Sequence, residues 1–181
     1  MRPNQRDEFI GRYRAGQEVR NHRITDWCHT ELARLQGADM FDRAFNLYRT
    51  WADLRLMDGN IDPSEREVGH CYAADPKIAN FGPRGIGLTN TLRTWLSMWS
   101  LKDSHCSGTP HLNRITQPAL VVQSTGDTGV FPSDAKAIFD ELAADDKSME
   151  MVTGDHYLQT PDNARDGVAD LIADWLRARG A

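Results

Sequence analysis

Two residues in the last third of the chain have the types and the surroundings needed for nucleophilic catalysis. Asp127 closes the stretch Ser124-Thr125-Gly126-Asp127, and His156 closes Thr153-Gly154-Asp155-His156. A carboxylate that fixes the tautomer of an imidazole and stabilises its protonated form turns that imidazole into a general base. Each residue alone has a plainer reading. Aspartate is common in turns that follow strands, and a loop histidine can satisfy itself on backbone groups. The pair gains weight from what precedes each member. Asp155, next to His156, reads as a capping or surface residue.

Both stretches follow segments that read as strands. Pro118-Ala119-Leu120-Val121-Val122-Gln123 is a short apolar run bounded by proline and polar residues, which fits a buried parallel strand. Lys147 to Val152 is a second strand, with Met149 and Met151 alternating against polar residues. Between them Pro132 opens a helix to about Ala144, with Ala135, Ile138, Phe139 and Leu142 on one face. Thr160 caps and Pro161 starts a final helix whose face includes Val168, Leu171, Ile172, Trp175 and Leu176. Strand, helix, strand, helix is the order of a parallel sheet covered by helices. In such sheets functional residues gather at the carboxyl ends of the strands. Neighbouring strands lie about 4.8 Å apart, so Asp127 and His156 can meet there. Two parallel strands are a poor sheet by themselves, so the pattern points to further strands that these residues do not include.

Ile115-Thr116-Gln117-Pro118-Ala119-Leu120-Val121-Val122, then Gly126-Asp127, then Val130-Phe131-Pro132, resembles the penultimate strand and acid loop of α/β-hydrolases. Met149-Glu150-Met151-Val152, then Gly154-Asp155-His156, then a helix ending in Trp175-Leu176, resembles their last strand, histidine loop and closing helix. The resemblance covers roughly residues 112 to 179. It implies an α/β fold in which residues 106–181 form the C-terminal part of the core and residues 1–105 a mainly helical cap. It gives Asp127 the role of triad acid and His156 that of triad base. In this family the nucleophile precedes the acid, in a G-x-S-x-G elbow. Neither that elbow nor an HGGG-type oxyanion motif occurs in the sequence. Of the serines before Asp127 (Ser64, Ser97, Ser100, Ser104, Ser107 and Ser124), none sits in a strand-turn-helix elbow. The chain therefore reads as starting after the nucleophile, within the cap. Two functions follow. One is a hydrolase of the ester, thioester or amide class, acting on a small molecule and inactive as this chain alone. The alternative is a non-catalytic module that associates with a complementing chain or with itself.

The first 105 residues read as helices. Phe9, Tyr13, Ile24, Trp27, Cys28, Leu32 and Leu35 mark one from Glu8 to Gln36, stopped by Gly37. Phe41, Phe45, Tyr48, Trp51 and Ala52 mark a second from about Met40 to Met57. Asp62-Pro63-Ser64-Glu65 has the form of a third helix start, with Asp62 as N-cap. Residues 73 to 87 look irregular. Thr89 then caps a helix with Leu92, Trp95, Leu96 and Trp99 on one face. Trp95 and Trp99 are candidate substrate-binding residues beneath a cap, although aromatic stripes more often fill cores.

Other features exclude functions. Gly82-Pro83-Arg84-Gly85-Ile86-Gly87 follows no strand and lacks Gly-Lys-Ser/Thr, so it is an irregular turn and not a phosphate loop. His105, Cys106 and His111 fit no common zinc spacing, and no metal or organic cofactor is implied. A net charge of -5 gives no basic footprint for nucleic acid. No apolar run approaches the ~18 residues of a membrane span, and the polar N-terminus lacks a signal peptide's apolar stretch. Cys28, Cys71 and Cys106 read as reduced thiols of a cytoplasmic protein.

Overall fold

In a computed structural model of the chain, which describes residues 3–51, 53–83 and 85–180, the first element is a helix of 34 residues, α1 (Pro3–Gln36). Its end is the expected one: Gly37 N–H donates to Ala33 O at 3.2 Å. The chain has mixed α/β content. It divides into two units, Met1–Trp51 with Ala79–Ser107, and Ala52–Ile78 with Gly108–Ala181. Residues 53–78 belong to the second unit, where hydrogen bonds tie them to the strand ends described below.

The core of the first unit is Cys28, Leu35, Leu92 and Trp95, with Ile24, Leu32, Phe45, Leu47, Leu96 and Trp99 packed against it. A polar chain runs through it. Trp95 Nε1–H donates to Thr25 Oγ1 (3.2 Å), which donates to Ser100 Oγ (3.0 Å). The buried polar atoms thereby satisfy one another.

No helix runs from Met40 to Met57. Instead β1 (Ala44–Asn46) pairs antiparallel with β2 (Thr89–Thr91), with Phe45 level with Asn90. Two forces override the helical spacing. Asp42 Oδ1 accepts N–H bonds from Arg43 (2.8 Å) and, across the chain, from Leu92 (3.1 Å), which competes with helix hydrogen bonding. The Phe45 ring sits edge-on to Trp27 at 5.0 Å and near Trp95 at 6.4 Å, a long-range packing gain that propensity does not include. Further on, Asn80 brackets Trp51, accepting its N–H (2.8 Å) and donating to its C=O (2.7 Å). Only a 3-10 turn at Leu54–Leu56 remains helical in this stretch among the described residues. Ala52, assigned to the apolar face, lies outside them.

One helix cap also shifts. Thr89 lies in β2, and Thr91 is the N-cap, accepting Thr94 N–H at 3.1 Å. The helix it starts, α3 (Leu92–Thr94), widens at once into a π-turn, Trp95–Trp99, closed by Ser100 N–H to Trp95 O at 2.9 Å. Residues 73–87, expected to be irregular, contain a short helix, α2 (Pro76–Phe81). Arg84 of the glycine-rich turn is not among the described residues. Gly87 has φ +78, and a β-carbon there would meet Thr50 and Trp99 at 3.0 Å, so glycine suits both backbone and packing.

The second unit is built on β3 (Ala119–Gly126) and β4 (Lys147–Asp155), which run parallel with Ala119 level with Lys147 and Gln123 level with Met151. Among the described residues no third strand joins them. After a short α4 (Thr109–Leu112), α5 (Pro132–Glu141) makes the crossover. Its C-terminal carbonyls are capped by Lys147 Nζ, which donates to Phe139 O and Leu142 O at 2.8 Å each. The closing helix α6 (Ala164–Arg177) begins later than Pro161, because the chain first folds back so that Asp155 N–H reaches Thr160 O at 3.2 Å. Trp175 Nε1–H then anchors α6 to Ser148 Oγ at 2.8 Å. The helix start expected at Asp62 is absent. Asp62 has φ +54, and its carboxylate instead accepts Ser133 N–H at 3.1 Å and Ser133 Oγ–H at 2.6 Å. No helix of the described residues is long and apolar enough to cross a membrane.

Candidate functional site

The strand ends carry Asp127 and His156 to hydrogen-bonding distance: His156 Nδ1 lies 2.7 Å from Asp127 Oδ1. An irregularity in pairing makes this alignment. Ser124 is level with Val152, yet Gly126 is level with Asp155, so β4 advances one residue more than β3. Such a bulge changes which side chains face which. In the register of the strand body Asp155 would stand level with Asp127. With the extra residue His156 does.

Glycines let the strand ends close. A β-carbon on Gly126 would lie 2.8 Å from Gly154 O, and one on Gly154 would lie 2.7 Å from Leu158 Cδ2. Gly129 lies under the imidazole: a β-carbon there would come within 2.7 Å of His156 Cε1 and 2.9 Å of Nδ1. Each of these distances is shorter than ordinary carbon contact.

Asp127 is buried, with 9% of its surface exposed. Its Oδ1 also accepts the N–H groups of Gly129 (2.7 Å) and Val130 (2.9 Å), an Asx-type turn that orients the carboxylate. A carboxylate can only accept, so the imidazole proton belongs on Nδ1 and the lone pair on Nε2. Nε2 has no hydrogen-bond partner among the described residues, and 27% of the His156 side chain is exposed. The pair can therefore take a proton from an approaching hydroxyl and hold the resulting positive charge beside a fixed carboxylate.

Neighbours steady the histidine loop. The Tyr157 ring stands edge-on to the imidazole at 4.7 Å, and its hydroxyl donates to Tyr72 O at 3.1 Å. Asp155 accepts N–H bonds from Tyr157 (2.8 Å) and Gln159 (3.0 Å). The Gln159 amide leads the effects that hold its carboxyl below the usual carboxylate range. Within this unit Ser64, Ser124 and Ser133 are engaged elsewhere. Ser64 Oγ accepts from Arg66 at 2.8 Å, Ser124 Oγ donates to Asp155 O at 3.2 Å, and Ser133 bonds Asp62.

Trp95 and Trp99 belong to the first unit and not to the unit of Asp127 and His156. The Trp95 ring is 4% exposed, with its N–H engaged on Thr25, and Trp99 packs on the same core. Trp95 is buried in this core, and Trp99 is partly buried against it. Sequence reasoning missed Gly129, Tyr157 and the segment 53–72. Asp127-x-Gly129 was the available signal, since a glycine two residues after a candidate acid permits close approach. Segment 53–72 gave none, because the bonds that tie it to the strand ends are long-range. Cys28, Cys71 and Cys106 are free thiols. Among the described residues, no group of three or more histidine, cysteine or acidic side chains is arranged to hold a metal.

Comparison of the chain with protein-family models, with curated proteins and with solved structures finds no match.

Proposed function

We propose that the chain supplies the acid–base half of a nucleophilic hydrolase site of the α/β-hydrolase type, acting on an ester, thioester or amide. The observation that carries this reading is the 2.7 Å Nδ1–Oδ1 bond at the carboxyl ends of two parallel strands, with Nε2 left accessible. Asp127 fixes the Nδ1–H tautomer. His156 Nε2 takes the proton of a serine hydroxyl during attack and returns it to the leaving group. The 181 residues contain no G-x-S-x-G elbow, so the nucleophile comes from polypeptide outside them. In this reading residues 106–181 are the C-terminal part of an α/β-hydrolase core and residues 1–105 a mainly helical cap segment.

The test is to isolate the native species through an antibody to α6 and treat it with a fluorophosphonate that labels activated serines. The expected result is a labelled serine in polypeptide that contains or accompanies this chain. The labelling rate should fall by several powers of ten in His156→Ala. Full labelling in His156→Ala would overturn the assignment. A second reading, a non-catalytic module that pairs with another chain or with its own copy, is favoured by β3 and β4 being the only strands of their sheet among the described residues. It predicts a stable complex and no labelling.

A further inference from the structure

The densest hydrogen bonding in the second unit is away from the Asp–His pair, around two arginines that no step of the proposed chemistry uses. Arg66 is 5% exposed. Its Nε and Nη2 donate to Arg55 O at 3.1 and 2.9 Å, and Nη2 also to Ile61 O at 2.7 Å and Asp58 O at 3.2 Å. Nη1 donates to Ser64 Oγ at 2.8 Å and to Asp62 O. Every acceptor is a neutral carbonyl or hydroxyl oxygen. The guanidinium thus shapes the turn from 55 to 64 without a carboxylate against it, and it lies 5.1 Å from the centre of the Phe131 ring.

Arg55 approaches the same ring at 4.1 Å. It is held by Asp53 (2.8 Å), Asp134 (2.9 Å) and Ser133 (3.0 Å). Segment 53–72 is pinned to the end of β3 as well, through Glu65 N–H to Thr125 O at 3.0 Å and a hydrogen bond from the Thr125 hydroxyl to the Glu65 carboxylate. Phe131 is 3% exposed and directly follows Gly129 and Val130, the residues whose amides grip Asp127. Its own N–H is fixed by Asp134 Oδ2 at 3.1 Å. One aromatic ring, held by two cations, therefore forms the far end of the three-residue link that aims the acid. Guanidinium over an aromatic face is an attraction that grows as water is excluded, and Arg66 and Phe131 are both nearly dry.

We propose that Arg55 and Arg66 are positioning residues that hold the acid loop through Phe131 and so keep Asp127 aimed at His156 Nδ1. The catalytic importance of that aim rests on the function proposed above. Its geometry is testable apart from activity. In the 15N-labelled full chain, the His156 Nδ1–H resonance, its exchange with water and the ring tautomer report the bond directly.

In Arg66→Lys, which loses the hydrogen-bonded fork that holds the cation against the ring, and in Phe131→Leu, which removes the ring, exchange should be on the order of tenfold faster, the scale of one lost charge–ring contact. The Nδ1–H tautomer should give way to a mixture. Arg179→Lys is the control. It disturbs an arginine stacked on Trp175 at 3.8 Å and paired with Asp146, which precedes β4, whereas His156 follows it. It should cost stability and leave the His156 signals unchanged. Wild-type exchange and tautomer in folded Arg66→Lys and Phe131→Leu would overturn the proposal, as would an equal change in Arg179→Lys. If Arg66→Lys does not fold, Phe131→Leu and Arg55→Lys decide by the same signals. Asp127→Asn separates the two ideas. If it shifts the tautomer while the arginine variants do not, the positioning role fails alone. If it too leaves the tautomer untouched, the reading of the site fails.

Discussion

Gly129→Ala is the smallest change that should take the site apart. The added carbon would lie 2.7 Å from His156 Cε1 and 2.9 Å from Nδ1. Carbon atoms settle at about 3.5–4.0 Å, so ring and loop must separate by about 1 Å. If the ring moves, which its partial exposure allows, the 2.7 Å bond to Asp127 stretches beyond hydrogen-bond length. If the loop moves, Gly129 N–H leaves Asp127 Oδ1, now at 2.7 Å, and the carboxylate loses its aim. Either way one charge-assisted bond is lost, worth about 1.5–3 kcal/mol. A displacement of about 1 Å in a catalytic group costs on the order of a hundredfold in rate. The assay pairs the His156 Nδ1–H resonance with fluorophosphonate labelling of the native species. Loss of the first and an approximately hundredfold slower second are expected. An alanine variant with both unchanged would refute the argument that the imidazole depends on a bare backbone beneath it.

Trp95→Ala should destabilise the first unit by about 3–5 kcal/mol without altering the His156 resonances, measured by urea unfolding and by NMR. A direct loss of serine labelling in the folded variant would return Trp95 to the site. Glu31 is held down to about 2 by hydrogen bonds from Arg34 and Arg43. Its folded value is depressed, so its contribution is full above the unfolded value near about 4.3 and fades as pH falls toward about 2. Glu31→Gln should therefore be less stable than wild type at neutral pH and equal to it near pH 2, as followed by chemical denaturation. Burial pushes the Cys28 thiol up to about 12 and raises that of Cys71, whereas Cys106 is exposed. Native protein should show one fast thiol toward a disulfide reagent at pH 8, and Cys106→Ser should abolish it.

Residues 118–177 were easier to read than the rest because their signals are local. Pro118 and the run to Val122, Pro132 opening α5, and the apolar spacing of α6 each mark their element within a few residues. Asp127 and His156 followed from their places after two strands. Residues 40–57 misled because Phe41, Phe45, Tyr48 and Trp51 have helical spacing, while the decisive bonds are to Leu92 and Asn80, far along the chain. Asp62-Pro63-Ser64-Glu65 misled likewise. Its cap-like carboxylate binds Ser133, and Arg66 collects the turn's carbonyls. A residue that serves another segment is invisible to any window that does not include that segment.

The additional residue near the end of β4 has a consequence for how this site can change over generations. It sets the phase of the strand, so the chemistry depends on a count as much as on residue identity. Gaining one codon between Val152 and Asp155, with the single bulge kept, would leave the apolar pattern upstream intact, yet bring Asp155 level with Asp127 in place of His156. Two facing carboxylates tend to share a proton, and the base would be gone although no residue named in the site had been substituted. An insertion at this point is therefore expected to be more damaging than most point changes, whereas loss of one residue would even out the ladder and leave His156 level with Asp127.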